Sequence, residues 1–435
     1  MKKKCVLLLL DGLGDRSYSE LSNQTPLQAA KTPYLDKLAK EGVNGLYHAS
    51  FPGDALPSEN AHFSIFGYDM KDFPGRGALE AIGAGISLCP SDIAILAHFA
   101  CLRRKEKILI LENGKPKAGA GEIEELVDSV SDININDINI SFKRTHGLYG
   151  IIVLKGDVSP YITDTDPITS DMPLIEPQVL DSAKKDINAY KTCDALKTYL
   201  INIYSNLLNH PVNTFRQKKG AFPINGLVTQ RAGRLKIVKC FYKKYGLKGV
   251  SLSSGLIYQG LASYIGMDFK IFNDCADPGL DICERIVHGQ SILDKYDFIH
   301  IHTKAPDETA HSKDPFAKKK AIESLDRGIS KALSPFIDDP EVYVIVTADH
   351  STPSSGPLIH SGEPVPITIC GHGVRVDNVN KFDEISAAAG ALGFIRGREL
   401  MYLVLNYLDM IKLKGLMDMP CDQAFWHGHY KPFTL

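Results

Sequence analysis

Residues 5–14, Cys-Val-Leu-Leu-Leu-Leu-Asp-Gly-Leu-Gly, decide the fold class of this chain. An unbroken apolar run of this length is typical of a strand that is buried on both faces of a parallel sheet. Asp11 and Gly12 end the run, so we expect a carboxylate at the carboxyl end of this strand. Open parallel sheets bind their ligands at that edge.

The later part of the chain alternates short apolar runs with helical patterns. Such alternation predicts a mainly parallel sheet with helices on both faces, and therefore a three-layer α/β/α core. The predicted strands are 249–252, 297–301, 342–347 and 367–370, and the predicted helices are 32–42, 257–265, 316–334 and 397–407.

The middle of the chain differs in character. Residues 133–141 are rich in Asp and Asn and are expected to be irregular, and 181–208 is expected to form a helix. The length of 435 residues also exceeds that of a typical single domain. We predict a discontinuous core, residues 1–88 and 240–435, and a smaller inserted α/β domain at 89–239.

Composition excludes several classes of partner. Lys plus Arg number 49 and Asp plus Glu number 51, which gives no basic surplus for nucleic acid. The apolar run that begins at Cys5 is shorter than a secretory core, and no stretch is long enough for a membrane span. The nine cysteines show no CxxC spacing. We expect a cytoplasmic protein with reduced thiols and without a nucleic-acid or membrane partner; the oligomeric state is not indicated.

Ser58 is a candidate nucleophile. Pro57 precedes it and disfavours helix for the residue before the proline, whereas the residues from Ser58 to Gly67 favour a helix. Ser58 is therefore expected at a helix N-terminus, where free N–H groups favour a phosphate.

Four separate segments supply ligand-type side chains. Asp307 and His311 are four residues apart, so they share a face if their segment is helical. Asp349 and His350 directly follow the predicted strand 342–347, and His360 comes ten residues later. With Asp11 and Ser58 these residues suffice for two metal centres that share a serine oxygen; singly, each could be a loop carboxylate or a hydrogen-bonded histidine.

Several blocks of sequence carry a family resemblance. They are Asp11-Gly12-Leu13-Gly14-Asp15-Arg16, Thr32-Pro33-Tyr34-Leu35-Asp36, Ser58-Glu59-Asn60-Ala61-His62, Gly75-Arg76-Gly77-Ala78-Leu79-Glu80-Ala81, Lys304-Ala305-Pro306-Asp307-Glu308-Thr309-Ala310-His311 and Thr347-Ala348-Asp349-His350-Ser351-Thr352-Pro353. These blocks resemble the alkaline-phosphatase superfamily and, more closely, its archaeal-type, cofactor-independent phosphoglycerate mutases.

The resemblance implies two divalent metal ions, Mn²⁺, Zn²⁺ or Mg²⁺, and no requirement for 2,3-bisphosphoglycerate. It assigns Asp307, His311 and His360 to one metal, and Asp11, Ser58, Asp349 and His350 to the other. It also implies interconversion of 3- and 2-phosphoglycerate through a phosphoserine at Ser58, with the inserted domain closing over the substrate.

A small phosphorylated carboxylate substrate requires cationic or hydrogen-bonding groups. The candidates are Arg76, His146, Arg231, Arg234 and Lys304; for each, a structural salt bridge or surface position is the competing interpretation.

Five further histidines are expected to have supporting or structural roles. His62 lies one helical turn after Ser58 and is expected to orient that helix or to pack. His302 matches the family pattern and is expected to support the ligands, whereas His300 is assigned to the core. His427 and His429 are interpreted as part of a packing tail rather than as metal ligands.

Pro57 and Glu59 stand where the family pattern usually has Gly and Asp. This difference leaves open a related phosphatase, or a phosphotransferase acting on a small hydroxy amino acid such as homoserine. A catalytically silent scaffold protein is the third hypothesis. It predicts the loss of a ligand or of the serine, whereas all seven positions are filled.

Overall fold

The computed structural model describes residues 3–130, 132–420, 422–426, 428 and 430–435. His427 and His429 lie outside these residues. The described strands are β1 (Lys4–Leu10), β2 (Val43–His48), β3 (Ile93–Lys105), β4 (Ile108–Asn113), β5 (Ile133–Ile135), β6 (Ile138–His146), β7 (Tyr149–Lys155), β8 (Gly226–Gly233), β9 (Gly249–Ser253), β10 (Asp268–Ile271), β11 (Phe298–Thr303), β12 (Val342–Thr347), β13 (Val365–Cys370) and β14 (Gly393–Arg396).

The helices follow the same chain order. They are α1 (Pro26–Ala29), α2 (Pro33–Glu41), α3 (Ser58–Ile65), α4 (Arg76–Gly83), α5 (Ala120–Asp128), α6 (Ile187–Leu208), α7 (Pro211–Lys218), α8 (Phe241–Tyr245), α9 (Leu256–Tyr264), α10 (Pro278–Ser291), α11 (Ala305–His311), α12 (Pro315–Ala332), α13 (Ser334–Ile337), α14 (Glu384–Ala387) and α15 (Glu399–Tyr407). Among the residues described, none of these helices combines the length and apolar composition needed to cross a bilayer.

The chain divides into two compact units, which we call the core unit and the insert unit. The insert unit is Pro74–Ile237, and the core unit comprises the residues before and after it. The predicted division had left residues 74–88 with the core. They belong to the insert unit because α4 packs against β3 and β8, both of which lie in that unit.

The core unit contains an eight-stranded sheet in the order β10-β9-β11-β1-β12-β13-β2-β14. Pairing is parallel except on either side of β13, which runs against its neighbours β12 and β2. This mixed α/β architecture with a mainly parallel sheet confirms the predicted fold class. Strand β1 lies at the centre, and its residues from Val6 to Leu10 are almost fully buried, as the unbroken apolar run predicted.

Register aligns the ends of the three central strands. Leu10 of β1 is paired with Thr303 of β11, and Leu9 is paired with Thr347 of β12. The segments that follow these strands begin at Asp11, Lys304 and Ala348. They therefore all start at the carboxyl-terminal end of the sheet. This alignment places residues that are distant in sequence in one region.

The insert unit is built on a mainly antiparallel sheet in the order β4-β3-β7-β6-β5, with β8 paired to β3. The expectation that residues 133–141 are irregular was wrong, because β5 and β6 form a hairpin there. Asn136 and Asp137 make its turn with φ values of 48° and 64°. Asn and Asp tolerate these left-handed values, so the polar composition marked the turn of a hairpin rather than an irregular segment.

Candidate metal centre and active site

The first ligand group lies beyond the ends of β1 and β12. Asp11 and Asp349 each have 1% of their surface exposed. Asp349 Oδ1 accepts hydrogen bonds from the backbone N–H groups of Gly12 and His350, both at 3.0 Å. One oxygen of Asp11, one of Asp349 and a ring nitrogen of His350 lie within 4.8 Å of one another.

The second ligand group joins α11 to the loop after β12. Ligand atoms of Asp307, His350 and His360 also lie within 4.8 Å of one another. His311 lies beside this group, with Nε2 3.2 Å from Asp307 Oδ2. The rings of His350 and His360 are stacked with their centroids 3.9 Å apart. His350 therefore belongs to both groups and connects them.

Ser58 is the first residue of α3, as its place after Pro57 predicted. Its Oγ lies 2.9 Å from His350 Nε2. The structure thus brings together all seven side chains that the sequence singled out as nucleophile and ligands. The same ring nitrogen faces Ser58 and the two carboxylates of the first group.

Two buried oxygens in this region have no hydrogen bond among the residues described, namely Asp11 Oδ1 and Asp349 Oδ2. His350 Nε2 lies 3.4 Å from the former and 3.2 Å from the latter. Buried polar atoms without partners cost free energy, and a divalent cation would satisfy them together. The carboxylate oxygens and imidazole nitrogens present here therefore fit a divalent metal.

Electrostatics of the protein alone are consistent with a site built for positive charge. Burial, together with the carboxylates of Asp349 and Asp307, raises the pKa of Asp11. Burial also opposes ionisation of Asp349, but His350 and His62 outweigh it and hold the pKa of Asp349 below its usual value. Burial lowers the pKa of His350 to about 4, so its ring is neutral at pH 7 and can act as a ligand.

A layer of buried side chains supports these ligands. Tyr258, on α9, donates a hydrogen bond of 2.7 Å to Asp11 Oδ2, and His302 Nε2 lies 3.0 Å from the same oxygen. His62 Nδ1 donates to the carbonyl oxygen of Ser58 at 2.8 Å. His302 and His62 thus lie where their expected supporting roles require. Sequence reasoning missed Tyr258, since a single tyrosine in an apolar helix carries no distinguishing pattern.

The comparisons with known proteins agree with this geometry. The family model of the Metalloenzyme superfamily matches residues 3–407 of this chain. The 2,3-bisphosphoglycerate-independent phosphoglycerate mutase 2 of Methanocaldococcus jannaschii is 40% identical over 421 residues, which is 95% of each chain. This chain belongs to that family of metalloenzymes.

Two solved structures share the fold of this family member. A Pyrococcus horikoshii protein is 29% identical with a TM-score of 0.77, and covers 96% of this chain and 100% of its own. The cofactor-independent phosphoglycerate mutase from Thermoplasma acidophilum is 28% identical with a TM-score of 0.64, and covers 93% of this chain and 100% of its own.

Lys304 is the one candidate substrate residue of this metalloenzyme that lies in the core unit. It precedes α11, and its Nζ is 3.9 Å from Asp274 Oδ2. The same ammonium group lies 5.8 Å from the ring centroid of Tyr258, whose hydroxyl contacts Asp11. Lys304 is therefore close to the first ligand group.

Two of the other candidates, Arg76 and His146, line one cavity of about 220 Å³ in the insert unit. Arg76 Nε donates to Glu80 Oε1 at 2.7 Å, one helical turn away. The ring of His146 stacks on Tyr149 with centroids 5.0 Å apart. The contact with Glu80 agrees with the salt-bridge interpretation of Arg76.

Arg231 lies near the end of β8 and Arg234 directly follows that strand, and the two residues have different surroundings. Arg231 is exposed and its backbone has a φ of 54°, an uncommon value for a residue with a side chain. Its N–H donates to Asp164 Oδ1 at 2.6 Å. Arg234 instead donates to the carbonyl oxygen of Val158 within the same unit, a structural contact.

Asp166 in the insert unit lies beside two polar side chains that are distant from it in sequence. Gln230 Nε2 donates to Asp166 Oδ2 at 2.8 Å, and His98 Nε2 lies 3.8 Å from the same oxygen.

Proposed function

We propose that this chain interconverts 3-phosphoglycerate and 2-phosphoglycerate without 2,3-bisphosphoglycerate, through a phosphoserine at Ser58. The observation that carries the proposal is the position of Ser58 Oγ, 2.9 Å from Nε2 of His350, the residue that is common to both ligand groups. The name of the Methanocaldococcus jannaschii relative supports the choice of substrate.

Two divalent ions, Mn²⁺, Zn²⁺ or Mg²⁺, would be held by the residues of the two ligand groups together with His311 and Ser58. Such ions lower the pKa of a serine hydroxyl and offset negative charge on a phosphoryl group. The mixed carboxylate and imidazole donors suit Mn²⁺ or Zn²⁺ best.

Ser58 would attack the phosphorus atom, and the bond from phosphorus to the 3-oxygen of the substrate would break. The proton lost by Ser58 goes to that oxygen, which leaves free glycerate and phosphoserine. The glycerate 2-hydroxyl then attacks the phosphorus atom of the phosphoserine, the bond from phosphorus to Ser58 Oγ breaks, and the proton lost by the 2-hydroxyl goes to Ser58 Oγ. The N-terminus of α3 helps because its free N–H groups stabilise phosphate at Ser58.

Retention of glycerate distinguishes a mutase from a phosphatase, because water would otherwise take the phosphoryl group. Lys304 supplies positive charge near Asp11 for the anionic substrate. Arg231 and Arg76 are the proposed further substrate contacts. We assign the insert unit the role of holding glycerate and excluding water.

We place the reaction in glycolysis and gluconeogenesis in the cytoplasm. The eight cysteines that lie among the described residues are free, which supports a reducing compartment.

The direct test incubates the purified protein with 3-phosphoglycerate and Mn²⁺, in the absence of 2,3-bisphosphoglycerate, and follows the products by ³¹P NMR. We expect 2-phosphoglycerate to form until equilibrium is reached. Release of inorganic phosphate without 2-phosphoglycerate would reject the mutase in favour of a phosphatase. Phosphate transfer only to an added hydroxy amino acid such as homoserine would indicate the related phosphotransferase.

Ser58→Ala tests the nucleophile. Loss of an essential nucleophile lowers kcat by at least about 10³-fold. Ser50→Ala is the matched control, because the Ser50 hydroxyl contacts Asp54 and lies outside the ligand groups. Unchanged turnover in Ser58→Ala would move the nucleophile to another residue or support the scaffold hypothesis.

A further inference from the structure

Thr352 is a buried side chain that contacts both ligand groups without belonging to either. It lies in the loop after β12 and has no exposed surface. Its Oγ1 donates a hydrogen bond of 2.7 Å to Asp307 Oδ1. The same Oγ1 lies 3.1 Å from His350 Nδ1.

The number of protons available fixes the direction of both hydrogen bonds. A threonine hydroxyl has one hydrogen and free lone pairs, whereas a carboxylate can only accept. The hydroxyl hydrogen of Thr352 therefore goes to Asp307, and the bond with His350 must be donated by Nδ1–H. In a neutral imidazole with Nδ1 protonated, Nε2 carries a lone pair.

That lone pair points at the region where a cation would bind. His350 Nε2 lies 3.2 Å from Asp349 Oδ2 and 3.4 Å from Asp11 Oδ1. The opposite tautomer would place a proton on Nε2 and remove this ring from the set of possible ligands. His360 is fixed in the same sense, because its Nδ1 lies 2.7 Å from the carbonyl oxygen of Leu56, which can only accept.

The backbone of Thr352 is held by hydrogen bonds with Gly14 and Lys318, which are separate from the contacts of its hydroxyl group. Its N–H donates to the carbonyl oxygen of Gly14 at 2.9 Å. The fully buried ammonium of Lys318 donates to the carbonyl oxygens of Thr352 at 2.8 Å and Gly14 at 2.9 Å, and lies 3.2 Å from Asp15 Oδ2. Lys318 thereby ties the segment after Asp11 to the segment after His350.

We propose that Thr352 is a positioning residue whose hydroxyl selects the Nδ1–H tautomer of His350 and orients Asp307, so that both can bind a divalent cation. The inference rests on the proposed function only in requiring that this cluster binds metal, and it does not depend on the substrate. Side chains that fix a ligating histidine through its other nitrogen are a general means of tuning metal sites.

Thr352→Val removes the hydroxyl and keeps the shape of the side chain, and Thr352→Ser restores the hydroxyl. Mn²⁺ binding to metal-stripped protein is measured by calorimetry, with urea unfolding of the same samples as a test of folding. We expect the dissociation constant of Thr352→Val to rise by about 10- to 100-fold, as for other residues that support metal ligands. Thr352→Ser should remain within about threefold of wild type, because the same two hydrogen bonds can form.

A dissociation constant for Thr352→Val close to that of wild type would overturn the inference, and so would an equal loss in Thr352→Ser. Should Thr352→Val fail to fold, ¹⁵N NMR of metal-stripped wild type with labelled histidine reports the tautomer of His350 directly. The His350→Gln variant identifies which signals belong to His350. A proton on Nε2 rather than Nδ1 would overturn the inference. Wild type that binds Mn²⁺ more tightly than Thr352→Val, but makes no 2-phosphoglycerate, would refute the proposed function alone.

Discussion

The polar residues of the core unit and those of the insert unit are organised differently. In the core unit Asp11, Asp349 and His350 are buried, and Asp349 accepts hydrogen bonds from the backbone N–H groups of Gly12 and His350. In the insert unit Arg76 is partly exposed and its side chain contacts Glu80, whereas Arg231 is exposed and contacts Asp164 through its backbone N–H. In a parallel sheet the residues that follow the strands all lie at the carboxyl ends of the strands, on one side of the sheet. In an antiparallel sheet they lie at both ends of the strands. Substitutions in the core unit should therefore affect stability and metal binding together, and those in the insert unit should affect substrate use alone.

The largest effect is expected at Lys318, whose removal would leave Asp15 buried without its cation. Breaking a buried ion pair by removing one partner costs about 3–5 kcal/mol of unfolding free energy. Lys318→Met should show a loss of this size in urea unfolding of the metal-stripped protein. The double variant Lys318→Met/Asp15→Asn removes both charges and should recover a large part of it. If Lys318→Met is as stable as wild type, the buried polar contacts of the core unit do not contribute to its stability in the way that distinguishes it from the insert unit.

A smaller effect, confined to catalysis, is expected at Arg231. A hydrogen bond from a charged group to an anionic substrate contributes about 1.5–3 kcal/mol, so Arg231→Met should lower kcat/KM by about 10- to 150-fold. Because the side chain is exposed, the unfolding free energy should change by less than about 0.5 kcal/mol. Arg103→Met, an exposed arginine of the same unit, is the matched control and should keep wild-type kcat/KM. Equal losses in both variants would show that position in the insert unit, not contact with substrate, determines the effect.

The smallest effect concerns pH and the buried His300. Burial and the nearby His62 hold the pKa of His300 well below its usual value. The unfolded chain, with a histidine pKa of about 6.5, therefore binds more protons than the folded protein below that pH, and stability falls as the pH falls. His300 should contribute up to about 1.4 kcal/mol per pH unit to this slope.

His300→Asn should reduce the pH dependence of urea unfolding between pH 5 and 6.5 in metal-stripped protein. His372→Asn, at an exposed position, should leave the slope as in wild type. A slope in His300→Asn identical to that of wild type would contradict the assignment of His300 to the buried, uncharged part of the core unit.

The elements that sequence predicted best are those whose pattern follows directly from burial. The runs at Cys5–Leu10 and Val342–Thr347 became β1 and β12, because a strand covered on both faces needs apolar residues at every position. The positions of Asp11, Asp349 and His350 followed, since Asp11 comes directly after β1 and the other two come after β12 with only Ala348 between.

The features that sequence missed depend on contacts between distant segments. Tyr258 and Thr352 reach the ligand groups only because β9 and β12 are positioned by their neighbours in the sheet. The assignment of residues 74–88 to the core was wrong for a related reason, since α4 joins the unit against which it packs and no local pattern shows that partner. The β5–β6 hairpin was missed because the polar turn residues outweighed the alternating isoleucines around them.

The order of strands in the core unit also leaves two strand edges that could pair with another chain. At one edge β10 exposes all four of its residues, and charged Asp268 and Lys270 alternate with Phe269 and Ile271. At the other edge β14 is a short strand that ends in Arg396. Charged side chains and short length at an edge discourage strand addition by a neighbouring molecule. The sheet is thereby protected against edge-to-edge aggregation at both edge strands. Lys270→Val removes a charge from the exposed β10 and should make aggregation through that strand easier.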